Sequence, residues 1–405
     1  MRVCEIEGIG NKVMKNTTVI FSCVSLMLAI AYFASYINVT SYPSKGRKGN
    51  AFPRSPYSSV DSKVQEGWNG RNVRTPLSSS LTMISFVDKD SGWVASENAV
   101  FETGDAGKTW RRVWQTRNSK QKINSIEYSG NGMGWISVTE GGFPLEPPWV
   151  STLILRAPKP EANPEVIFKS RHMFASRFWN LDGELWVSAF RYPDGDNKRG
   201  APDLWRIDGD EQLKDYSKYI NEANSQFDTF HGFYPSVLFV GKRDSCLLTK
   251  NIMGMFLQSC DNGFSWTMLV KTGGFEYGRT DTGLGVAKDA TLFWDRDHIG
   301  DTFITLLRFY NQNLSELQGE FILLDYYPVD AISAKNGDIY MVAYPLDAEP
   351  INGKNGFVLF SKDKGRTWQK IFECVDKITA VNFVGESEKA FWLVSIKGEL
   401  MRLSR

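Results

Sequence analysis

Thr103-Gly-Asp105-Ala-Gly107-Lys-Thr109-Trp110, Ser259-Cys-Asp261-Asn-Gly263-Phe-Ser265-Trp266 and Ser361-Lys-Asp363-Lys-Gly365-Arg-Thr367-Trp368 are three copies of one pattern, S/T-x-D-x-G-x-S/T-W. Each follows a strand-like run (Ala99–Phe101, Met255–Leu257, Phe357–Phe360) and leads into another (Arg111–Trp114, Thr267–Val270, Gln369–Phe372). The chemistry is that of a hairpin turn. Hydroxyl and carboxylate side chains satisfy nearby backbone groups, Gly takes angles that a side chain would forbid, and Trp supplies a large surface to pack against a neighbouring sheet.

A longer unit surrounds each copy: a buried strand, a turn, a second strand often carrying Trp, a connection, and a third strand that ends at the pattern. The run from Ser85 to Ser96 aligns without gaps to the run from Leu238 to Thr249. Degenerate units follow the same grammar around Ser125-Ile-Glu-Tyr128 with Gly134-Trp135, Phe178-Trp-Asn180 with Glu184-Leu-Trp186, and Val381-Asn-Phe-Val384 with Phe391-Trp392. Units start near Ile84, Ser125, Arg177, Ser236, Leu284, Ala331 and Ala380, at intervals of roughly 40 to 60 residues, which is the period of propeller blades. The expected fold is all-β, a seven-bladed β-propeller over residues 67–405, monomeric, with a six-bladed ring as the alternative because the fifth unit matches least. The last unit stops at Arg405 after its third strand, so Gly67–Leu77 is expected to supply the missing fourth strand.

The 405 residues carry a net charge of +1, which gives no global electrostatic case for nucleic acid. Aromatics at 13% and 35 Gly suit a β-rich fold with many turns. Residues 1–18 read as an N-terminal tail and Val19–Ile37 as a transmembrane anchor, near the minimum length for a spanning helix. The competing reading is a signal peptide cleaved near Ala29-Ile-Ala31, giving a secreted protein. Residues 38–66, rich in Ser, Pro, Gly and Lys, read as a flexible tether. The domain behind the apolar segment is expected outside the cytoplasm, on the periplasmic side of a bacterial inner membrane. Cys246 and Cys260 lie on successive strands and are candidates either for a disulfide or for two buried thiols. No Cys/His cluster suggests a metal, and no motif suggests a cofactor.

The connection from second to third strand is tight in units one, four and seven (Glu97-Asn98, Asn251–Gly254, Lys397-Gly398). It swells in units two, three and six, over Thr139–Ser151, Arg191–Asp203 and Leu346–Gly356. All three expansions fall on the face opposite the S/T-x-D-x-G turns, where they outline a partner-binding rim. Candidate contact residues are Glu140, Phe143, Trp149, Arg191, Tyr192, Asp194, Arg199, Asp347 and Lys354, a mixture of charge and aromatic surface that suits protein recognition. Asp295-Arg-Asp297-His298 is expected as an acidic turn on the same face.

The repeated pattern resembles the Asp box of sialidase-like propellers. That family also requires an arginine triad announced by Arg-Ile-Pro and a Tyr/Glu nucleophile pair. No Arg-Ile-Pro occurs here, there are only three His, and no G-x-S-x-G is present, so the resemblance carries a structural role for the boxes and no catalytic one. Phe86-Val-Asp88 through Gly92-Trp93-Val94 to Thr103-Gly-Asp105-Ala-Gly107-Lys-Thr109-Trp110 resembles more closely the repeat of photosystem II assembly/stability factor-like propellers. This resemblance implies a non-catalytic scaffold that binds a protein partner during assembly of a membrane complex. An immunity protein that neutralises a delivered toxin, and a glycan-binding or glycosidase propeller, stay open beside it.

Overall fold

In the computed structural model the described strands fall into seven sheets, six of four strands and one of five. The structure describes residues 57–405 except 78–79, 131–132, 142–150, 158–162, 172, 182–183, 192–200, 208–212, 220–236, 244–245, 252–254, 272–281, 287–290, 300–301, 311–316, 334–337, 347–349 and 385–389. Sheet 1 comprises Met83–Phe86, Gly92–Ala95, Ala99–Thr103 and Arg111–Gln115; sheet 2, Gln121–Gly130, Met133–Glu140, Ser151–Ala157 and Glu165–Arg171. Sheet 3 comprises Met173–Leu181, Glu184–Arg191, Ala201–Ile207 and Leu213–Asp215; sheet 4, Val237–Arg243, Cys246–Asn251, Met255–Ser259 and Thr267–Lys271. Sheet 5 comprises Thr282–Val286, Thr291–Ile299, Thr302–Tyr310 and Leu317–Leu323; sheet 6 has Tyr326–Ser333, Ile339–Pro345, Gly356–Ser361 and Thr367–Cys374. Sheet 7 begins with Ile378–Val384, Ala390–Ser395 and Leu400–Ser404.

Each sheet is an antiparallel meander, and the first strands of successive sheets touch one another from sheet 1 round to sheet 7 and back to sheet 1. This is an all-β β-propeller with the first strands as its inner wall. Sheet 7 takes its fourth strand from the other end of the domain: Asn69–Val73 pairs antiparallel with Leu400–Ser404, from Asn69 opposite Ser404 to Val73 opposite Leu400. Gly70 in this closing strand is a residue of close approach, because a Cβ there would run into the ring of Phe372 from sheet 6.

The tether reading of residues 38–66 requires a correction. Ser59–Val64 is a strand that pairs in parallel with Thr367–Cys374 as the fifth strand of sheet 6, and Tyr57 bridges to Ile322 of sheet 5. Ser58 donates its N–H to Ile322 O at 2.8 Å and its hydroxyl to Gly365 O at 2.6 Å. The polar sequence concealed this strand because it lies at a sheet edge with mostly exposed side chains, leaving backbone pairing and half-buried Val60 to fix it. The domain therefore starts before residue 67. Among the described residues no helix is long and apolar enough to cross a membrane, and Val19–Ile37 lies outside them.

Between the sheets the core is aromatic. Trp93 and Trp392 are fully buried on equivalent second strands, each facing the next sheet round the ring. Trp93 meets Tyr128 with ring centroids 5.4 Å apart, and Trp392 stacks on Phe86 at 4.0 Å. The Asp boxes extend this packing outward. In all three, the residue before the box Gly and the Gly itself have positive φ: Ala106 and Gly107, Asn262 and Gly263, Lys364 and Gly365. Two such residues in succession are the signature of a type I′ hairpin turn. In the third box the Ser361 hydroxyl donates to Asp363 at 2.9 Å and accepts from Gly365 N at 2.8 Å. Asp363 in turn accepts from Thr367 N at 2.8 Å and from its hydroxyl at 2.7 Å. Thr109 hydroxyl and N–H donation to Asp105, and the matching bonds of Ser265 to Asp261, hold both carboxyls down at about 2. Burial opposes the same effect at Asp363, whose carboxyl still ends below its ordinary value.

Trp266 and Trp368 are buried and donate their indole N–H to the box carbonyls of Gly263 and Gly365, each at 3.0 Å. Trp368 packs onto Leu307 and Phe309 of sheet 5, and Trp266 onto Trp186 and Tyr216 of sheet 3. Trp110 differs. It is only partly buried and reaches instead to Arg74 O, just after the closing strand, at 3.0 Å. Cys246 and Cys260 form a disulfide across the second and third strands of sheet 4, with Cα atoms 4.1 Å apart. Trp368→Ala is expected to cost about 3–5 kcal/mol and Trp110→Ala about 1–2 kcal/mol, following the apolar contact each loses. Denaturant midpoints of the two variants check the order; equal losses would contradict it.

Candidate functional site

Antiparallel alternation decides which side chains and connections meet. The second-to-third connections and the links from one sheet to the next emerge on one face of the ring; the Asp boxes emerge on the other. The long connections run over 141–150 in sheet 2, 192–200 in sheet 3 and 346–355 in sheet 6. Phe143, Trp149, Tyr192, Asp194, Arg199 and Asp347 lie outside the described residues. Arg191 ends the second strand of sheet 3, opposite Met173 and Ala201. Glu140 ends the second strand of sheet 2, where it accepts from Gln121 at 3.3 Å and stands 3.7 Å from Lys169. Asp295 to His298 form no turn: they run within Thr291–Ile299, in continuous register with Ile304 and its neighbours, because alternating Trp294 and Leu292 side chains bury one side of that stretch. Among the described residues no group of three or more His, Cys, Asp or Glu is placed to hold a metal.

Among the described residues, Lys354 is the one predicted contact residue that the structure brings into a concave site. On this face, where sheets 6 and 7 meet, a cleft of about 440 Å³ is lined by Lys354, Phe372, Cys374, Val375, Asp376, Gly70, Arg71, Asn72, Ser395, Lys397, Glu399 and Met401. The absent Cβ of Gly70 leaves Phe372 in place as part of its wall. The turn after Ser395 is set by its hydroxyl, which accepts from Lys397 N at 3.2 Å and Glu399 N at 3.3 Å, and by Gly398 at positive φ. Lys397 pairs with Asp376 at 2.9 Å, and this carboxylate raises the ammonium pKa. Cys374 donates its thiol to Asp376 O at 3.0 Å; burial, then the Asp376 charge, pushes it up to about 11. That thiol is no nucleophile at neutral pH. Val375 and Ile396 stand beside the cleft 57% and 64% exposed, and the Ile396 N–H bonds Lys377 O at 2.7 Å.

A second cluster, which no motif in the sequence announced, faces the inner wall. Glu127, Arg177 and Asp330 come from the first strands of sheets 2, 3 and 6. Glu127 and Arg177 lie on consecutive sheets, while Asp330 reaches them only across the ring. Burial pushes Glu127 up to about 7 despite hydrogen bonds from Asn180 and Ser85 and the opposing charge of Arg177. Burial also raises Asp330, against the pull of Arg177 and a 2.8 Å bond from Ala331 N. The Arg177 guanidinium lies 4.4 Å from the Trp179 ring centroid. The same wall is stitched by side chains that cap the next sheet's backbone: Asn382 to Phe86 N at 3.0 Å, Ser85 to Tyr128 N at 2.9 Å and Ser125 to Phe178 N at 3.1 Å.

No protein-family model matches the chain. A stretch of 61 residues is 33% identical to the photosystem II assembly protein Ycf48 of Thermosynechococcus vestitus, spanning 15% of this chain and 18% of that protein. Among solved structures, YCF48 bound to D1 peptide superposes with a TM-score of 0.52 at 16% identity, over 85% of this chain and 98% of that one. An ancestral GH74 enzyme superposes with a TM-score of 0.50 at 11% identity, over 86% of this chain and 51% of that one. The chain resembles Ycf48 propellers, and at these identities the structural likeness is one of fold. Propellers with and without catalytic activity share it.

Because Glu127 titrates higher folded than unfolded, the folded state holds the extra proton between about pH 4.5 and 7, and stability falls as pH rises through that window. Glu127→Gln removes this dependence. The variant is expected to match the parent at pH 4.5 and to exceed it above pH 7 by about 1–2 kcal/mol, discounted for partial exposure. Melting curves across that range check the sign.

Proposed function

We propose that this chain is a non-catalytic, membrane-tethered propeller that holds a protein partner on its long-connection face, in an assembly or scaffold role. The observation that carries the reading is the cleft between sheets 6 and 7, which opens on the face where the sequence expands its connections and has exposed aliphatic side chains beside it. A propeller of the same fold has been solved with a bound peptide, which supports a polypeptide as the class of ligand. Val19–Ile37 supplies the anchor, and the propeller stands outside the cytoplasm, where a disulfide such as Cys246–Cys260 persists. An immunity role would use the same face.

A glycosidase reading has one observation in its favour: Glu127 and Asp330 are dehydrated carboxyls on the inner wall with pKa values raised, as in general acids. Their proximity to Arg177 and the capping bonds of the wall equally suit a structural network, and the sialidase motifs are missing.

The test combines binding and topology. The double variant Arg191→Glu with Arg199→Glu is expected to lose the partner recovered by the native chain, while Asp363→Ala loses about 1 kcal/mol of stability and keeps it. Protease added to spheroplasts should digest the propeller. Turnover of fluorogenic glycosides, abolished by Glu127→Gln, would replace this reading with the enzymatic one.

A further inference from the structure

We infer that the cleft between sheets 6 and 7 is the docking groove for an extended, acidic peptide segment bearing an aliphatic anchor; this rests on the partner-binding reading above. Arg71, Lys354 and Lys397 line the cleft, together with the carboxylates of Asp376 and Glu399. Of these, Lys397 is already engaged by Asp376 at 2.9 Å. Arg71 is exposed on the closing strand and Lys354 is half-buried at the cleft wall; with Lys397 paired to Asp376, these two cations face only Glu399, so the lining carries a surplus positive charge.

The apolar part of the ligand follows from the same geometry. Val375 and Ile396 are large aliphatic side chains more than half exposed beside a concave wall that includes Phe372 and Met401. Polar side chains surround them, the arrangement of an anchor site with a polar rim. The chain's own N-terminal segment is a poor occupant: residues 45–54 carry Lys45, Arg47, Lys48 and Arg54 with no carboxylate, and the cleft would repel them. Cys374 takes no covalent part, since its thiol is held protonated and bonded to Asp376 O.

The probe is a set of short synthetic peptides measured by fluorescence anisotropy on the purified full chain in detergent. One alternates Asp or Glu with Leu; in the second Leu is replaced by Ser; in the third the acids are replaced by Lys. Only the first is expected to bind, with affinity falling about tenfold or more in Arg71→Glu with Lys354→Glu and in Ile396→Ser, and weakening with salt. Melting temperatures of these variants should stay near the parent value, because the changed side chains are at the surface. Equal binding of all three peptides, no binding, or binding indifferent to the variants overturns the proposal. So does a two-copy mass in light scattering that Ile396→Ser abolishes, which would make the occupant a second chain. A photo-crosslinker placed at Ile396, at Trp149 and at Lys108 in native cells separates this proposal from the broader reading. Protein adducts at Trp149 without any at Ile396 overturn the groove alone, and adducts at neither overturn both.

Discussion

The pairing of Asn69–Val73 with Leu400–Ser404 is the constraint on which the rest of this ring depends. A four-stranded sheet with apolar side chains on both faces cannot be stable by itself, and each sheet here buries its faces only against its neighbours. Phe86 finds Trp392 only when the last sheet and the first are adjacent. The closing strand sets that adjacency, with backbone hydrogen bonds that join the two ends of the domain. The arm before it adds a second fastening, since Tyr57 to Val64 bridges the outer strand of sheet 5 and pairs along that of sheet 6.

The Asp boxes act on the same problem from outside. Their carboxylates are held in the turn: each accepts from the box hydroxyls and N–H groups. Gly365 shows why the box needs a residue without a side chain: its φ is +81°, and a Cβ would run into the Phe309 ring of sheet 5. One turn motif thus closes a hairpin and seats one sheet on the previous one. Trp110 follows the rule least closely because its neighbour is the short closing strand, which offers Arg74 O and Val73 instead of a broad aromatic surface.

The assembled ring creates both places where chemistry gathers. Glu127, Arg177 and Asp330 are far apart in sequence, and each taken alone is an ordinary charged residue on a strand. On the inner wall burial makes both carboxyls hold their protons more tightly, against the opposing charge of exposed Arg177. The cleft between sheets 6 and 7 likewise draws on the closing strand Asn69–Val73, the long connection of sheet 6 and the tight turn of sheet 7. The two sites differ in kind. Side chains that cap neighbouring backbones surround the inner cluster, whereas the cleft leaves aliphatic and basic side chains facing solvent.

The sequence by itself determined the propeller, its blade-sized period, the hairpin chemistry of the three boxes and the origin of the closing strand. These rest on local rules: turns need Gly and Asp at fixed offsets, and strands need alternating burial. It also pointed to the facing cysteines of sheet 4, because a hairpin brings residues on either side of its turn together. Ser59–Val64 was not legible, since an edge strand held by backbone bonds needs no apolar pattern. Asp295 to His298 misled for the converse reason: an acidic run resembles a turn, yet the period-two burial of Leu292 and Trp294 keeps it in a strand. Only the tertiary structure decided that Lys354 shares a cleft with Arg71 and Lys397, and that Glu127 faces Arg177. Such meetings depend on which strands come to face one another in the folded ring, not on the spacing of residues along the chain.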